Sequence, residues 1–448
     1  MVPRPNHRLW LLIVALLDPV VDGLVSSLHR DGEWGSLVTE FGRDVDRLWS
    51  AYAISTYGTW IAFGAFPLIA VGTLQTSACA VSLLESVGLA AAAICAVAIG
   101  PRIAWHRKRP AMIGADCARF VAMASIPPAY LAGVLTYGQL LVVSIIGGTA
   151  SIASTAASGA YLKHIVPAGR LLAANGRFEG AMWIATATGP PLGGLAIAVL
   201  GPVVTVAADA ASYAVSALTV GRIRGADVAT PSARGDRRWA AELIRGWSVI
   251  ATDRVLRRLF VNQMAVNGLI MATGPLLAVL LIGEYHYAAW EYGLAFGLPG
   301  VAGFVGARLS AHLVERHGRD RVLTISGWLR SVVPLGLAAV QPGVPGLVTV
   351  IVVEALLIGC MGVFNPIGAT ERLRRVRAED VPQVLAAWSI TSRLSQATLI
   401  ALWGALATLA DPLSAITASG VLLLATPLLL PRRRQLGQSR TEPESDQN

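Results

Sequence analysis

Five ionisable residues lie inside long apolar stretches: Glu85, Asp209, Arg330, Glu354 and Arg393. A charge deep in hydrocarbon is costly, so such residues pair, face a wet cavity or move protons. Glu354 with Arg330 or Arg393 is the best-suited proton-coupling set, because a carboxylate in low dielectric takes a proton once its cation partner leaves. The alternative is a static ion pair that fixes helix register. Asp209 is a second coupling candidate, although Ser212, Tyr213 and Ser216 could hold it in a packing network. Asn262, Gln263 and Asn267 offer uncharged hydrogen bonds to a ligand or across helices. Trp60, with Phe63 and Phe66, offers ring faces to a cavity or to lipid. His286 with Glu284, Trp290 and Glu291 reads as a wet rim and not a metal site. Cys79, Cys95, Cys117 and Cys360 show neither metal spacing nor a disulfide framework. No cofactor and no metal is expected.

The elements that carry these residues are membrane spans. The 448 residues are 54% hydrophobic and 14% charged, against about 25% charged in soluble domains. The net charge of +9 is confined to short loops, as the positive-inside rule requires, and no nucleic-acid module is visible. Twelve spans are expected, near 49–72, 80–100, 110–133, 139–161, 180–200, 202–221, 259–282, 290–314, 322–341, 346–367, 383–409 and 411–430. Each approaches the ~20 residues that cross a bilayer as a helix. This divides the chain into an interfacial or disordered extension (1–45), a six-helix half (46–221) and a cytoplasmic linker (222–258). A second six-helix half (259–431) and a disordered cytoplasmic tail (432–448) follow. Asp18, Pro19 and Asp22 interrupt the first apolar run, Leu9 to Leu17, which leaves an extra weak span as the alternative there. In the linker Trp239, Leu243, Trp247 and Ile250 recur at helical spacing, so an amphipathic helix on the inner leaflet is expected.

Lys and Arg mark alternate loops: Arg102 to Arg109, Lys163 to Arg177, Arg222 to Arg258, Arg316 to Arg321, Arg372 to Arg377 and Arg432 to Arg434. The intervening loops, at 72–79, 135–139, 283–291 and 341–346, carry none. Both termini are therefore expected in the cytoplasm. The two halves also repeat. Gly100-x-Arg102 matches Gly306-x-Arg308, and Arg119 has its counterpart in Arg330, the pattern of a transporter built from repeats.

Gly100-x-x-x-Ala104-x-x-Arg107-Lys108-Arg109 resembles the loop motif of the major facilitator superfamily, Gly-x-Leu-Ala-Asp-Arg-x-Gly-Arg-Arg. Trp105 stands at the Asp position. In that family the Asp helps lock the cytoplasmic side. The resemblance thus implies a cytoplasmic gate of Gly100, Arg107 and Arg109, rebuilt with Asp116 and Arg119, which share a helix face. A purely structural Asp116–Arg119 pair is the alternative. Ala185 and Gly189-Pro190-Pro191-Leu192-Gly193-Gly194 resemble the antiporter motif Gly-x-x-x-Gly-Pro-x-x-Gly-Gly. Small residues let helices approach closely and proline permits a bend. Ser55 to Gly58, Asn175-x-Arg177-x-Glu179 and Asn365-Pro366 are similar to further segments of the drug:proton antiporter branch, whereas its Arg in span four has no match in Gln139 to Tyr161. The resemblance, over Arg43 to Pro431, implies a monomeric plasma-membrane transporter that exports a small amphipathic compound in exchange for protons. An importer or uniporter on the same fold is the first rival and a membrane enzyme or receptor the second. No nucleophile–base set and no Gly-x-x-x-x-Gly-Lys phosphate loop is present, so neither an enzyme nor a primary ATPase is expected.

Overall fold

A computed structural model describes residues 42–105, 107–167, 170–225, 236–377 and 379–431. The extension before residue 42, His106 and the tail from 432 lie outside them. The described residues form helices and no strand. The reason is that a backbone in lipid must bond within its own segment.

The first span is α1 (Arg43–Ile61), a break, α2 (Ala65–Leu68) and a π turn (Ile69–Thr73). It thus begins inside the expected extension. The break falls at Gly64, whose φ of +84° suits glycine and where a Cβ would press on the Tyr292 ring. Then come α3 (Ala78–Trp105), and α4 (Lys108–Ala124) continued by α5 (Ile126–Leu131). The bend between α4 and α5 precedes Pro127 and Pro128, which cannot continue a hydrogen-bond ladder. The N-terminal half closes with α6 (Tyr137–Ile165), α7 (Leu171–Leu200) and α8 (Pro202–Gly221).

After α9 (Asp236–Thr252) the design repeats. α10 (Arg254–Ala278) ends in a π turn (Val279–Glu284) as the first span does. α11 (Ala289–His317) follows. α12 (Arg319–Val332) passes into a 3-10 stretch (Val333–Ala339) at Pro334, as α4 breaks before its prolines. α13 (Val344–Arg374), α14 (Val381–Leu409) and α15 (Pro412–Leu423) complete the half. Ten of these segments are long and apolar enough to cross a membrane. The two expected spans outside that set are α4–α5, which carries Lys108, Arg109, Asp116 and Arg119, and α14, which carries Ser392, Arg393, Ser395 and Gln396. Their polar residues lower the hydropathy.

The linker helix α9 does not simply lie on a leaflet. It packs on α14: Ile250 is buried, Trp247 Nε1 donates to Thr391 Oγ1 at 3.0 Å, and Arg245 meets Asp380 at 2.6 Å.

The halves meet along α3 with α14 and α7 with α11. Lipid tails are as apolar as leucine, so close packing of small residues does the joining here. A Cβ on Gly293 would collide with the Pro190 carbonyl, one on Gly297 with the Pro191 ring, and one on Gly194 with the Ala289 carbonyl. This seam belongs to one end only. At the cation-free end the buried cluster around Leu276, Leu281 and Trp403 takes in Phe63 and Leu89 from the other half. At the basic end each half keeps its own cluster, one around Leu48, Met112 and Tyr161 and the other around Leu256, Phe364 and Trp388.

Candidate functional site

A cavity of about 340 Å³ opens in the N-terminal half, between α1, α4, α6, α7 and α8. Its walls follow from helical spacing. α4 buries Met112, Ala115, Asp116 and Ala122 on one stripe, which brings Asp116 and Arg119 to the inner side. α8 carries Asp209, Ser212, Tyr213 and Ser216 on its buried face, the spacing of a single helical stripe. Gly58 lets α8 close on α1, since a Cβ there would strike Ser212 Oγ.

The polar groups form one network. Arg119 Nη2 donates to Asp116 Oδ1 at 2.7 Å, and Ser216 Oγ donates to Asp116 Oδ2 at 2.6 Å. The Asp116 side chain is 3% exposed and that of Arg119 11%, so the pair is withdrawn from bulk water yet borders the cavity. The guanidinium lies 4.5 Å from the Tyr213 ring centroid, and Tyr213 Oη shares a hydrogen with Thr59 Oγ1 at 2.8 Å. Asp209 is buried one turn away and accepts from Ser212 Oγ at 3.4 Å. Trp60 lines the cavity and stacks on Phe63 at 5.6 Å, and Phe63 reaches Tyr292 and Phe296 in the other half.

The structure redistributes several expected roles. Glu354 is buried on α13 but forms no hydrogen bond or ion pair among the described residues, so the expected set with Arg330 or Arg393 does not assemble. Arg330 instead lies fully buried over the Phe364 ring, 3.4 Å from its centroid, and donates to Asn262 Oδ1; its Nε and Nη1 have no partner. Asn262, expected in a cavity, is held between Arg330 and the Thr426 carbonyl, which its Nδ2 meets at 2.8 Å. Gln263 and Asn267 do not line the cavity, although Asn267 Oδ1 is buried without a partner. Arg393 is half-buried, and its Nε has no partner.

The expected gate also divides. Gly100 lies in α3, Arg107 caps α4 at the basic end, and Arg109 donates to the Gly221 carbonyl. Arg119 stands ten residues beyond Arg109 on the same helix, about 15 Å at 1.5 Å per residue. Asp116 and Arg119 therefore border the cavity, away from the loop position that Trp105 fills. Of the Gly189–Gly194 motif, Pro190 and Gly194 pack on α11 in the seam, whereas Gly189 and Gly193 pack on α1 at Trp60 and Ile61 within the N-terminal half.

Two ion-pair groups at the basic end went unread. Arg177 meets Asp46 at 2.6 Å and covers the Trp49 ring at 4.4 Å. Glu371 holds Arg375 at 2.6 Å and Arg319 at 3.2 Å. Their signal was acids set among the arginines, Asp44 and Asp46 between Arg43 and Arg47, and Glu371 before Arg372. A hydroxyl stripe on α6, Ser151, Ser154, Thr155 and Ser158, also faces the cavity. Its signal was the spacing i, i+3, i+4, i+7. Among the described residues no cluster of three His, Cys, Asp or Glu could hold a metal.

Two packed helical halves built by repetition, one of them holding a cavity, have the architecture of a membrane transporter. The profile of the Major Facilitator Superfamily matches residues 48–311 and 259–447. The chain belongs to that superfamily, whose members similar to it are transporters and not enzymes. Uncharacterized MFS-type transporter y4rN of Sinorhizobium fredii (strain NBRC 101917 / NGR234) is 28% identical over 238 residues, covering 53% of this chain and 56% of that protein. The match thus spans little more than half the length of that relative. Among solved structures, the nucleoside transporter NupG superposes with a TM-score of 0.68 at 12% identity, covering 86% of this chain and 98% of NupG. A D-xylose-proton symporter gives 0.62 at 14% identity, covering 87% of this chain and 98% of its own. At such identities these likenesses establish the fold.

Proposed function

We propose that the protein is a secondary active transporter that exports a small, partly apolar compound in exchange for protons by alternating access. It works as a monomer in the plasma membrane, with the basic end and both termini in the cytoplasm. The observation that carries this reading is the one-sided joining of the halves. A seam of glycines and aromatic rings closes the cation-free end, while the two basic-end clusters stay separate. Rocking the halves about this seam would exchange the two openings. The coupling role moves from Glu354 to the Asp116–Arg119 pair with Asp209 beside it. A carboxylate that trades its arginine for a proton ties protonation to the position of Arg119.

Everted membrane vesicles energised by a proton gradient test this reading against a panel of toxic compounds. Accumulation that collapses with the gradient is expected; accumulation indifferent to it removes proton coupling. Uptake by right-side-out vesicles alone would establish import, the second reading. Orientation is read separately. In a background with the four native cysteines replaced, His106→Cys and His286→Cys should label from opposite faces.

A further inference from the structure

We infer that the cavity takes an uncharged, hydroxyl-rich ring compound with one flat apolar face, the chemistry shared by nucleosides and aryl glycosides. The inference rests on the transport reading above and assigns its substrate class. It starts from the α6 stripe. Hydroxyls in these helices usually donate back to their own helix: Ser50 to the Asp46 carbonyl at 2.7 Å, Thr186 to that of Met182 at 2.8 Å, Thr391 to that of Ala387 at 2.8 Å. Ser151, Ser154, Thr155 and Ser158 make no hydrogen bond to any described residue, and all four border the cavity. Each can donate and accept; Thr155 is exposed and the other three are half-buried, so a bound ligand would take the place of water on them. A ligand with several hydroxyl, carbonyl or amide groups would satisfy the stripe.

Charge narrows the class. Asp116 and Arg119 are the charged residues among those lining the cavity, and they bond each other at 2.7 Å. A cationic ligand would find no free carboxylate there, and an anionic ligand no free cation. The apolar face has its own surface. Trp60 lines the cavity from α1, and Tyr52 and Phe178 meet across it with ring centroids 5.0 Å apart at 48°. The volume of about 340 Å³ lies within the range of small-molecule pockets, ~300–1,000 Å³.

The test is equilibrium binding to the purified full-length protein in lipid nanodiscs. The neutral probes are uridine and the aryl glucoside salicin; tetraphenylphosphonium and benzoate are the charged ones. At least one neutral probe should bind saturably, and which one binds separates nucleoside from glycoside. Ser154→Ala with Thr155→Val should weaken that binding about tenfold or more, the loss of one or two net hydrogen bonds. The same variant should melt at the wild-type temperature, because neither hydroxyl bonds the protein. The substrate class is overturned if neither neutral probe binds, or if the double variant binds the neutral probe unchanged. Binding of a charged probe with equal affinity to both proteins also overturns it. Transport in everted vesicles is scored independently, so a protein that transports yet binds only tetraphenylphosphonium defeats this inference and leaves the transport reading standing.

Discussion

Arg119 and Arg330 occupy matching places in the two halves and live in opposite surroundings. Arg119 borders a cavity and meets a carboxylate, Asp116, at 2.7 Å, with Tyr213 beneath its guanidinium. Arg330 is fully buried, meets no carboxylate, and is held by the Phe364 ring and the Asn262 side-chain oxygen. One repeat thus keeps its arginine on a carboxylate at a cavity wall. The other has built it into packing. The contrast says that internal repetition transmits the frame but not the surroundings of each charge.

The largest expected effect tests that division directly. Arg119→Ala leaves Asp116 buried and uncompensated, and removal of one member of a buried pair costs about 3–5 kcal/mol. Uphill transport should fall at least a hundredfold, with a clear drop in melting temperature. Asp116→Asn combined with Arg119→Gln should restore most of the stability and none of the coupling. Recovery of coupled transport in the double variant would show the pair to be only structural.

Arg330→Ala should also destabilise, by about 2–5 kcal/mol as for large core truncations. Here the readout that matters is affinity: ligand binding should stay within about twofold of wild type. Loss of affinity without loss of stability would make the two arginines functionally equivalent. Glu354→Gln is the next step down. Since Glu354 faces no cation among the described residues, uphill transport should persist within about threefold. Abolished accumulation with intact exchange would return the coupling role to the C-terminal half.

The smallest effect concerns the last helix of each half. α15 is capped by Asp411, which accepts from the Ser414 backbone N–H at 2.8 Å and its hydroxyl at 2.5 Å; α8, its counterpart, starts after Gly201 with no side-chain cap. The two hydrogen bonds from Ser414 hold the Asp411 carboxyl below its ordinary value. A lowered folded-state value means that the cap contributes fully above the ordinary Asp range, near ~4, and loses its contribution as pH falls through the lowered value. Asp411→Ala should cost about 1 kcal/mol at neutral pH and nothing at strongly acid pH, measured by thermal melts across that range. An equal cost at both pH values would remove the carboxylate from the account.

Much of the fold was legible because lipid imposes simple rules. Apolar length and the alternation of cation-rich with cation-free loops located the spans, and the Gly100 and Gly306 loops exposed the repeat. The expected span near 110–133 is α4–α5, bent where its prolines fall. The glycines of the Gly189–Gly194 motif were legible as close-packing residues, because a missing Cβ has consequences in any context.

The partners of buried charges were not legible. Depth within a span says that a charge is costly; it does not say which face of the helix bears it or which helix stands opposite. Glu354, Arg330 and Arg393 share a depth yet do not meet. Asp116 and Arg119 read as substitutes for a loop carboxylate, and the length of α4 carries them into the cavity wall instead. The α6 hydroxyls passed unread, since serine and threonine usually bond their own helix and only the tertiary arrangement leaves these four free. The sequence by itself determined an all-helical, twice-repeated membrane protein, because backbone hydrogen bonding and charge in a bilayer allow few alternatives. Which half holds the cavity, which arginine keeps a carboxylate and which hydroxyls border the cavity were decided by helix rotation and packing. A turn of 100° per residue there brings a side chain to face a cavity, a neighbour or lipid.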